Sequence, residues 1–299
     1  MRILGIVLLL LLGAMLWQHV RYLNLRRDVV QDSQELVYPA SRFHVITYLG
    51  VAEGEDVIKA IAALRREIEA VGVAKMVYAG QAALTVESSQ LAPQNWDAVV
   101  LVEYPSRSAY EAAAENPRQR DALAAFRAVY SHGMARSPVA NLLLPQLLLA
   151  LRAGDILRGN WNVEELEPAS VEGASSEQVA LFRERMKSLL SLASVNDEAV
   201  VIFNLAKPGS EAEQARNRSY GLTMLTRMAA LAHGPMHLGS AVPVEGDAQF
   251  DDVVIVYYPG VDYFSRLVRS RFFQGIIGDK QLGDTLVVLT VPILSRLGA

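Results

Sequence analysis

The chain contains no cysteine. Disulfides, thiolate zinc sites, cysteine-ligated iron–sulfur clusters and a cysteine nucleophile are therefore excluded. A cysteine-free chain suits cytoplasm and periplasm equally. Charge is also scarce, at 20% of residues against 52% hydrophobic, which excludes a disordered chain. Acidic residues are absent from the first 27 positions, which hold Arg2, Arg21, Arg26 and Arg27. Removing those four from the 28 basic residues leaves 24 against 32 acidic ones in the remainder. A body that acidic is not built for nucleic acid, because affinity for a phosphate backbone needs clustered Lys and Arg. No phosphate-binding glycine loop, dinucleotide fingerprint, zincin helix, nucleophile-elbow serine or EF-hand loop occurs. The 299 residues leave room for two domains.

The first feature that is present is an apolar run from Ile3 to Trp17. By itself it falls short of a ~30 Å hydrocarbon core, but Trp17, Tyr22 and the flanking arginines extend it as interfacial and snorkelling residues do. A cleaved signal peptide is the rival reading. It wants small residues at −3 and −1, and Gly13-Ala14 is wrongly spaced for that. Residues 1–27 are therefore expected to be a single-pass, uncleaved anchor whose partner is the lipid bilayer through residues 3–17. Arg21, Arg26 and Arg27 outweigh Arg2 and the terminal amine, which favours a cytoplasmic body over a periplasmic one.

The rest of the chain repeats itself. Asp97-Ala-Val-Val-Leu-Val-Glu-Tyr-Pro105 returns as Asp251-Asp-Val-Val-Ile-Val-Tyr-Tyr-Pro259, and Tyr78-Ala-Gly-Gln-Ala82 returns as His237-Leu-Gly-Ser-Ala241. Periodicity predicts strands at Phe43–Leu49, Lys75–Val86, Ala98–Tyr104 and about Asn141–Leu148, with helices over Glu55–Val71 and Ser108–Tyr130. The second copy reads as strands at Glu198–Ala206, Met236–Val244, Val253–Tyr258 and Thr285–Leu294, with helices over Glu211–Ala232 and Val261–Ile277. The order β-α-β-β-α-β, twice, is the ferredoxin-like unit. The expected class is thus α+β, with a first repeat at 38–150, a linker carrying an amphipathic helix at 151–195 and a second repeat at 196–299.

Both faces of these strands are apolar: Val99 and Leu101 on one, Val100 and Val102 on the other. Helices cover only one face of such a sheet, so the other repeat must cover the second. Two sheets closed on each other within one chain leave room for a cavity between sheet and helices.

These residues carry a resemblance. Trp96–Leu123 (WDAVVLVEYPSRSAY through NPRQRDAL), together with Gly133–Pro145 (GMARSPVANLLLP), resembles the dimeric α/β-barrel superfamily. More narrowly, it is similar to a bacterial branch of small domains of unknown function. The second repeat keeps Asp251, Tyr258 and Pro259 but has Gly260 in place of Ser106, and it lacks the Gly-Met-x-Arg-Ser segment. The superfamily includes cofactor-free monooxygenases, lactone isomerases, haem peroxidases and ligand-binding domains. The tandem arrangement implies a barrel formed within one chain, with no homodimer required, and the anchor implies a bacterial cytoplasmic-membrane location. The resemblance leaves the function open.

Several side chains are candidates for chemistry. His233 and His237 are four apart, but Gly234-Pro235 breaks the helix that a metal pair would need, so no metal site is expected. His237 replaces Tyr78 in the repeat, and either, facing a cavity, would serve as acid/base or as an axial haem ligand. No cofactor is expected; haem is the alternative. His132 is placed at the C-terminus of a long helix, where capping competes with a site role. His44 starts the first strand on the face of Ile46 and Tyr48 and reads as barrel-edge packing. Glu103, Arg107 and Arg136 are expected to form a carboxylate–guanidinium cluster near the barrel mouth, as ligand-binding residues or as a plain ion pair.

Three functions follow. The first is a membrane-anchored binding protein with an apolar pocket for a small hydrophobic or aromatic molecule. The second is a cofactor-independent monooxygenase or isomerase using His237 or Tyr78. The third is a scaffold for a membrane complex. An enzyme needs at least two convergent polar groups in one cavity; a scaffold needs an exposed apolar patch.

Overall fold

Short runs of Val, Ile, Leu and Tyr build eight strands, and each finds a partner on both edges. The computed structural model describes residues 2–30, 39–159, 199–229, 234–280 and 283–298. The strands are β1 (Phe43–Gly50), β2 (Lys75–Val86), β3 (Ala98–Tyr104), β4 (Ala128–Ala135), β5 (Val200–Lys207), β6 (Gly234–Pro243), β7 (Asp252–Tyr258) and β8 (Asp284–Pro292). They close into one antiparallel barrel in the order β1-β3-β2-β8-β5-β7-β6-β4. Each half thus runs fourth, first, third, second strand. The halves are sewn together by β2 on β8 and by β4 on β6. Closure removes every open edge, so no row of backbone donors and acceptors is left for another chain to pair with.

Period-2 alternation divides the apolar residues between two environments. Ile46, Tyr48, Leu101, Phe203, Ile255 and Val288 point inward and fill the barrel as one cluster drawn from both halves. Val45, Leu49, Val100 and Val102 point outward and are covered by α2 (Val57–Ala70) through Ile61, Leu64 and Ile68. That helix starts where Asp56 Oδ1 accepts the Lys59 amide at 3.1 Å. On the second half, Val200, Ile202 and Tyr258 are covered by Met224 of α6 (Glu211–Ala229) and by Phe264 and Leu267 of α7 (Val261–Arg269). The α7 N-cap is Gly260 at φ 92°, with no side-chain cap, where Ser106 caps the corresponding helix of the first half through the Ala109 amide at 3.1 Å.

The structure corrects the expected order in the first half. The segment 108–130 is not one helix: α3 (Arg107–Ala114) ends, and Asn116-Pro117 restarts the chain as α4 (Pro117–Ala124). The last strand is β4, eight residues that include Ser131 and His132, so His132 is a strand residue and not a helix cap. The expected strand at Asn141–Leu148 lies instead inside α5 (Pro138–Leu157), started by Ser137 as N-cap with Pro138 in the first turn. Length decides this: a run that stays apolar for so long is a helix. In the second half, the expected helix over Val261–Ile277 is broken at Ser270 into α7 and α8 (Arg271–Ile276). The amphipathic linker helix and His233 lie outside the described residues.

At the N-terminus, Arg2–Val30 forms one helix, α1. It and α5 are long and apolar enough to cross a membrane by length and composition.

Candidate functional site

Tyr78 and His237 occupy matching places. Tyr78 lies opposite Leu101 and His237 opposite Ile255, each just after a register shift in its strand. Their surroundings differ. Tyr78 is fully buried, its ring against Phe203 and its hydroxyl 2.6 Å from Thr290 Oγ1. Thr290 spends its own proton on the Val201 carbonyl at 2.9 Å, so Tyr78 is the donor between them. Burial pushes the phenol well above its ordinary range. His237 sits 2.7 Å from Arg136 through Nδ1. A guanidinium only donates, so Nδ1 accepts and Nε2 carries the hydrogen.

His237 and Arg136 belong to a polar end of the barrel. There His44 Nε2 lies 3.2 Å from Glu103 Oε2, and Arg42 is 4.0 Å from the same carboxylate. Burial, followed by the nearby Arg136 charge, lowers the His44 pKa to about 3. Arg107 is not part of this group; it lies exposed on α3 and pairs with Glu111 at 2.9 Å. The expected three-residue cluster is thus two separate pairs, Glu103 with His44 and Arg136 with His237. His132 is fully buried in the barrel, with Tyr130 Oη 3.0 Å from its Nδ1 and Phe250 edge-on to its ring. Burial alone lowers its pKa to about 4.

A cavity of about 360 Å³ lies on the other side of the sheet wall, between the outer face of the first half and α2, α3 and α4. Val45, Val102, Ile68, Leu123 and Phe126 make its apolar lining. Into it project Thr47 and Ser131, cross-strand neighbours on β1 and β4 whose hydroxyls are 3.1 Å apart. Tyr104, bonded to Gln119 at 3.3 Å, and Tyr110, edge-on to Tyr104, form one wall. The rim is completed by Val244 and Glu245, which belong to the second half.

Glu245 is placed by the end of a ladder. The pairing of β4 with β6 stops at His132 opposite Pro243. Beyond it the Ser131 amide would lack an acceptor, and Glu245 Oε2 takes that hydrogen bond at 3.1 Å. Oε1 carries no hydrogen bond among the described residues. Tyr110 is pushed up to about 12, by burial first and then by the charges of Glu245 and Glu111, so it remains a proton donor at neutral pH. Arg127, also on the rim, is committed to the Asn95 and Val51 carbonyls at 2.8 and 3.2 Å and closes the strand ends.

The corresponding surface of the second half differs. Asn204 and Val287 are paired there as Thr47 and Ser131 are in the first half. Asn204 Nδ2 is bonded to the Val254 carbonyl at 2.9 Å. The hydroxyl pair is a feature of one half only.

The cavity contains no imidazole, thiolate or thioether; Tyr104 and Tyr110 are its only side chains of a type that ligates haem iron, and the imidazole of His237 is turned to Arg136. Among the described residues no group of three or more His, Asp or Glu side chains has metal-binding geometry.

No family model matches the chain, and no curated protein matches it in sequence. Solved structures align over most of its length. A candidate monooxygenase from Lactobacillus acidophilus is 9% identical over 84% of this chain and 94% of its own, with a TM-score of 0.41. An anthrone oxidase-like protein is 6% identical over 85% and 93%, with a TM-score of 0.45. A chlorite dismutase variant from Candidatus Nitrospira defluvii is 9% identical over 89% and 99%, with a TM-score of 0.43. At these scores the likeness carries no argument about what this chain does.

Proposed function

We propose that the chain is a membrane-anchored, cofactor-independent enzyme that moves a proton on a small hydrophobic or aromatic molecule, an isomerase or monooxygenase by class. One observation carries this reading: a carboxylate, two hydroxyls and two phenols converge on one apolar-lined cavity. Convergent polar groups are what an enzyme needs and a simple hydrophobic pocket does not.

The roles follow from the chemistry. Glu245 is the base, its Oε2 fixed by the Ser131 amide and its Oε1 free to take a proton from substrate. Tyr110 and whichever hydroxyl of the Thr47–Ser131 pair accepts from the other supply hydrogen bonds to the oxygen on which negative charge develops, a task for donors held in place before reaction. Phe126, Leu123 and Val102 hold the apolar body of the substrate. His237 and Tyr78, the candidates from sequence, do not line this cavity. An anchor at residues 2–30 would keep the barrel where hydrophobic molecules partition.

The test is isotope exchange. Full-length protein in detergent and D₂O is incubated with a panel of hydrophobic ketones, lactones and phenols, and loss of substrate C–H signal is followed by proton NMR. The expected result is exchange that Glu245→Gln abolishes while native mass spectrometry still shows the ligand bound. Binding without exchange in the parent protein would leave the chain a carrier, the second reading. The observation favouring that reading is that Glu245 already serves a structural hydrogen bond.

A further inference from the structure

The sequence reads part of helix α5 as a barrel strand; instead it lies outside the barrel against α1 and α6, and its surface is unusual for a helix on a water-soluble body. From Pro138 to Leu151 it has no charged residue. Val139, Leu143 and Leu147, spaced four apart and so aligned on one face, are each 46–66% exposed, and Leu149 adds a second exposed apolar face at 50%. Its only charges among the described residues before the C-cap, Arg152 and Asp155, neutralise each other at 3.5 Å. In water such a surface has nothing to gain from exposure.

We infer that α5 is a second membrane-contacting element, embedded beside α1 in one leaflet, and that its occupant is the lipid bilayer. The inference rests on the reading of α1 as an anchor and extends it. Three observations support it. First, the two helices are bonded in mid-length: Gln146 Nε2 donates to the Met15 carbonyl at 3.0 Å. Met15 stands six residues before Arg21, the first charge after the apolar run, so it lies about 9 Å inside the interface that the arginine marks. Lipid that surrounds α1 at that depth also meets α5. Second, an amide at that depth needs a partner within the protein, and Gln146 has one; a polar side chain bonding across a helix pair is the expected device in hydrocarbon. Third, the uncharged stretch sets the depth. The whole of α5 has the length to cross, but its uncharged stretch of fourteen residues makes only about 21 Å, enough to enter one leaflet of a ~30 Å core. Only Arg136 and Ser137 separate α5 from β4, so the barrel itself is held against the bilayer surface and not at the end of a free tether.

The absence of cysteine provides the test. Single substitutions Leu147→Cys on α5, Leu9→Cys on α1 and Val73→Cys on the barrel are made at exposed sites, so each accepts a nitroxide label. The labelled full-length proteins are reconstituted into phosphatidylcholine–phosphatidylglycerol vesicles, and collisions with oxygen and with nickel–EDDA are measured by power-saturation EPR. The expected result is an oxygen-to-nickel ratio several-fold higher at 147 and 9 than at 73. A water-like ratio at 147 with a lipid-like ratio at 9 would overturn the inference and leave the anchor standing. Water-like ratios at both would remove the anchor and the inference together. A label at 147 shielded from both reagents would mean that protein, such as a second copy, covers α5, and would overturn it as well.

Discussion

Glu245 of the second half accepts the backbone amide of Ser131 of the first half at 3.1 Å, and this contact across the barrel seam brings a carboxylate to the rim of the cavity. The two substitutions that test it separate structure from chemistry. Glu245→Gln keeps an oxygen acceptor for the amide and should leave stability nearly unchanged while ending proton transfer. Glu245→Ala leaves a buried amide without its partner and should cost about 1–2 kcal/mol in urea unfolding. If both variants kept full exchange activity, the carboxylate would have no catalytic part.

Thr47 and Ser131 form a buried hydroxyl pair 3.1 Å apart on an otherwise apolar sheet face. Removing one member strands the other. Thr47→Val alone, or Ser131→Ala alone, should destabilise by about 1–2 kcal/mol, whereas the double variant should cost less than the sum of the two. Ligand binding should weaken in all three. A strictly additive cycle in denaturant titrations would show that the hydroxyls do not depend on each other.

How much of this was legible beforehand follows from where polar residues sit. Seven strands were readable because Val, Ile and Leu alternate or run together in them. The strand β4, Ala128-Val-Tyr-Ser-His-Gly-Met-Ala135, was not, since it places Ser131 on the outer face and His132 on the inner, where a closed barrel buries both. The helix starts were written more plainly than they were read. Ser137-Pro138 and Asn116-Pro117 are N-cap and first-turn signals, and they mark α5 and α4. The cavity had no sequence signal at all. Thr47, Ser131 and Glu245 are ordinary residues more than eighty positions apart, joined only by the strand register and by the end of the β4–β6 ladder. The histidines did carry a signal, but it led into the barrel wall and not into the cavity.

Gly80 exists because Tyr78 does. A Cβ at position 80 would lie 2.5 Å from the Tyr78 hydroxyl and 2.7 Å from Thr290 Cβ. Gly80→Ala should therefore destabilise by about 1–3 kcal/mol through overpacking. Tyr78→Phe, which removes one buried hydrogen bond to Thr290, should cost about 1 kcal/mol. Because the lost hydroxyl is the nearest of the clashing atoms, the double variant should be more stable than the sum of the singles implies, although the contact with Thr290 stays. Thermal denaturation of the three proteins checks this, and isotope exchange in the cavity should be unaffected by Tyr78→Phe.

The buried histidines make stability depend on pH in a definite direction. In the folded barrel the pKa of His132 is lowered to about 4, by burial, and that of His44 to about 3, by burial and then by Arg136. In the unfolded chain both return to about 6.5. Between these values the unfolded chain holds protons that the folded one does not. Stability is therefore complete above about pH 6.5 and falls as the pH drops toward 4 for His132 and toward 3 for His44, by about 1.4 kcal/mol per pH unit for each. His132→Phe removes one of the two contributions. At pH 7 that variant should be less stable by about 1–2 kcal/mol, because the Tyr130 hydroxyl loses its hydrogen-bond partner. Its stability should then fall less steeply with acid than that of the parent. The two curves, measured by urea unfolding from pH 7 to pH 4, should meet between about pH 5 and 6 and cross below that, since the carboxylates contribute equally to both. Parallel curves would mean that His132 takes up its proton at the same pH in the folded barrel as in the unfolded chain, and that burial does not depress it.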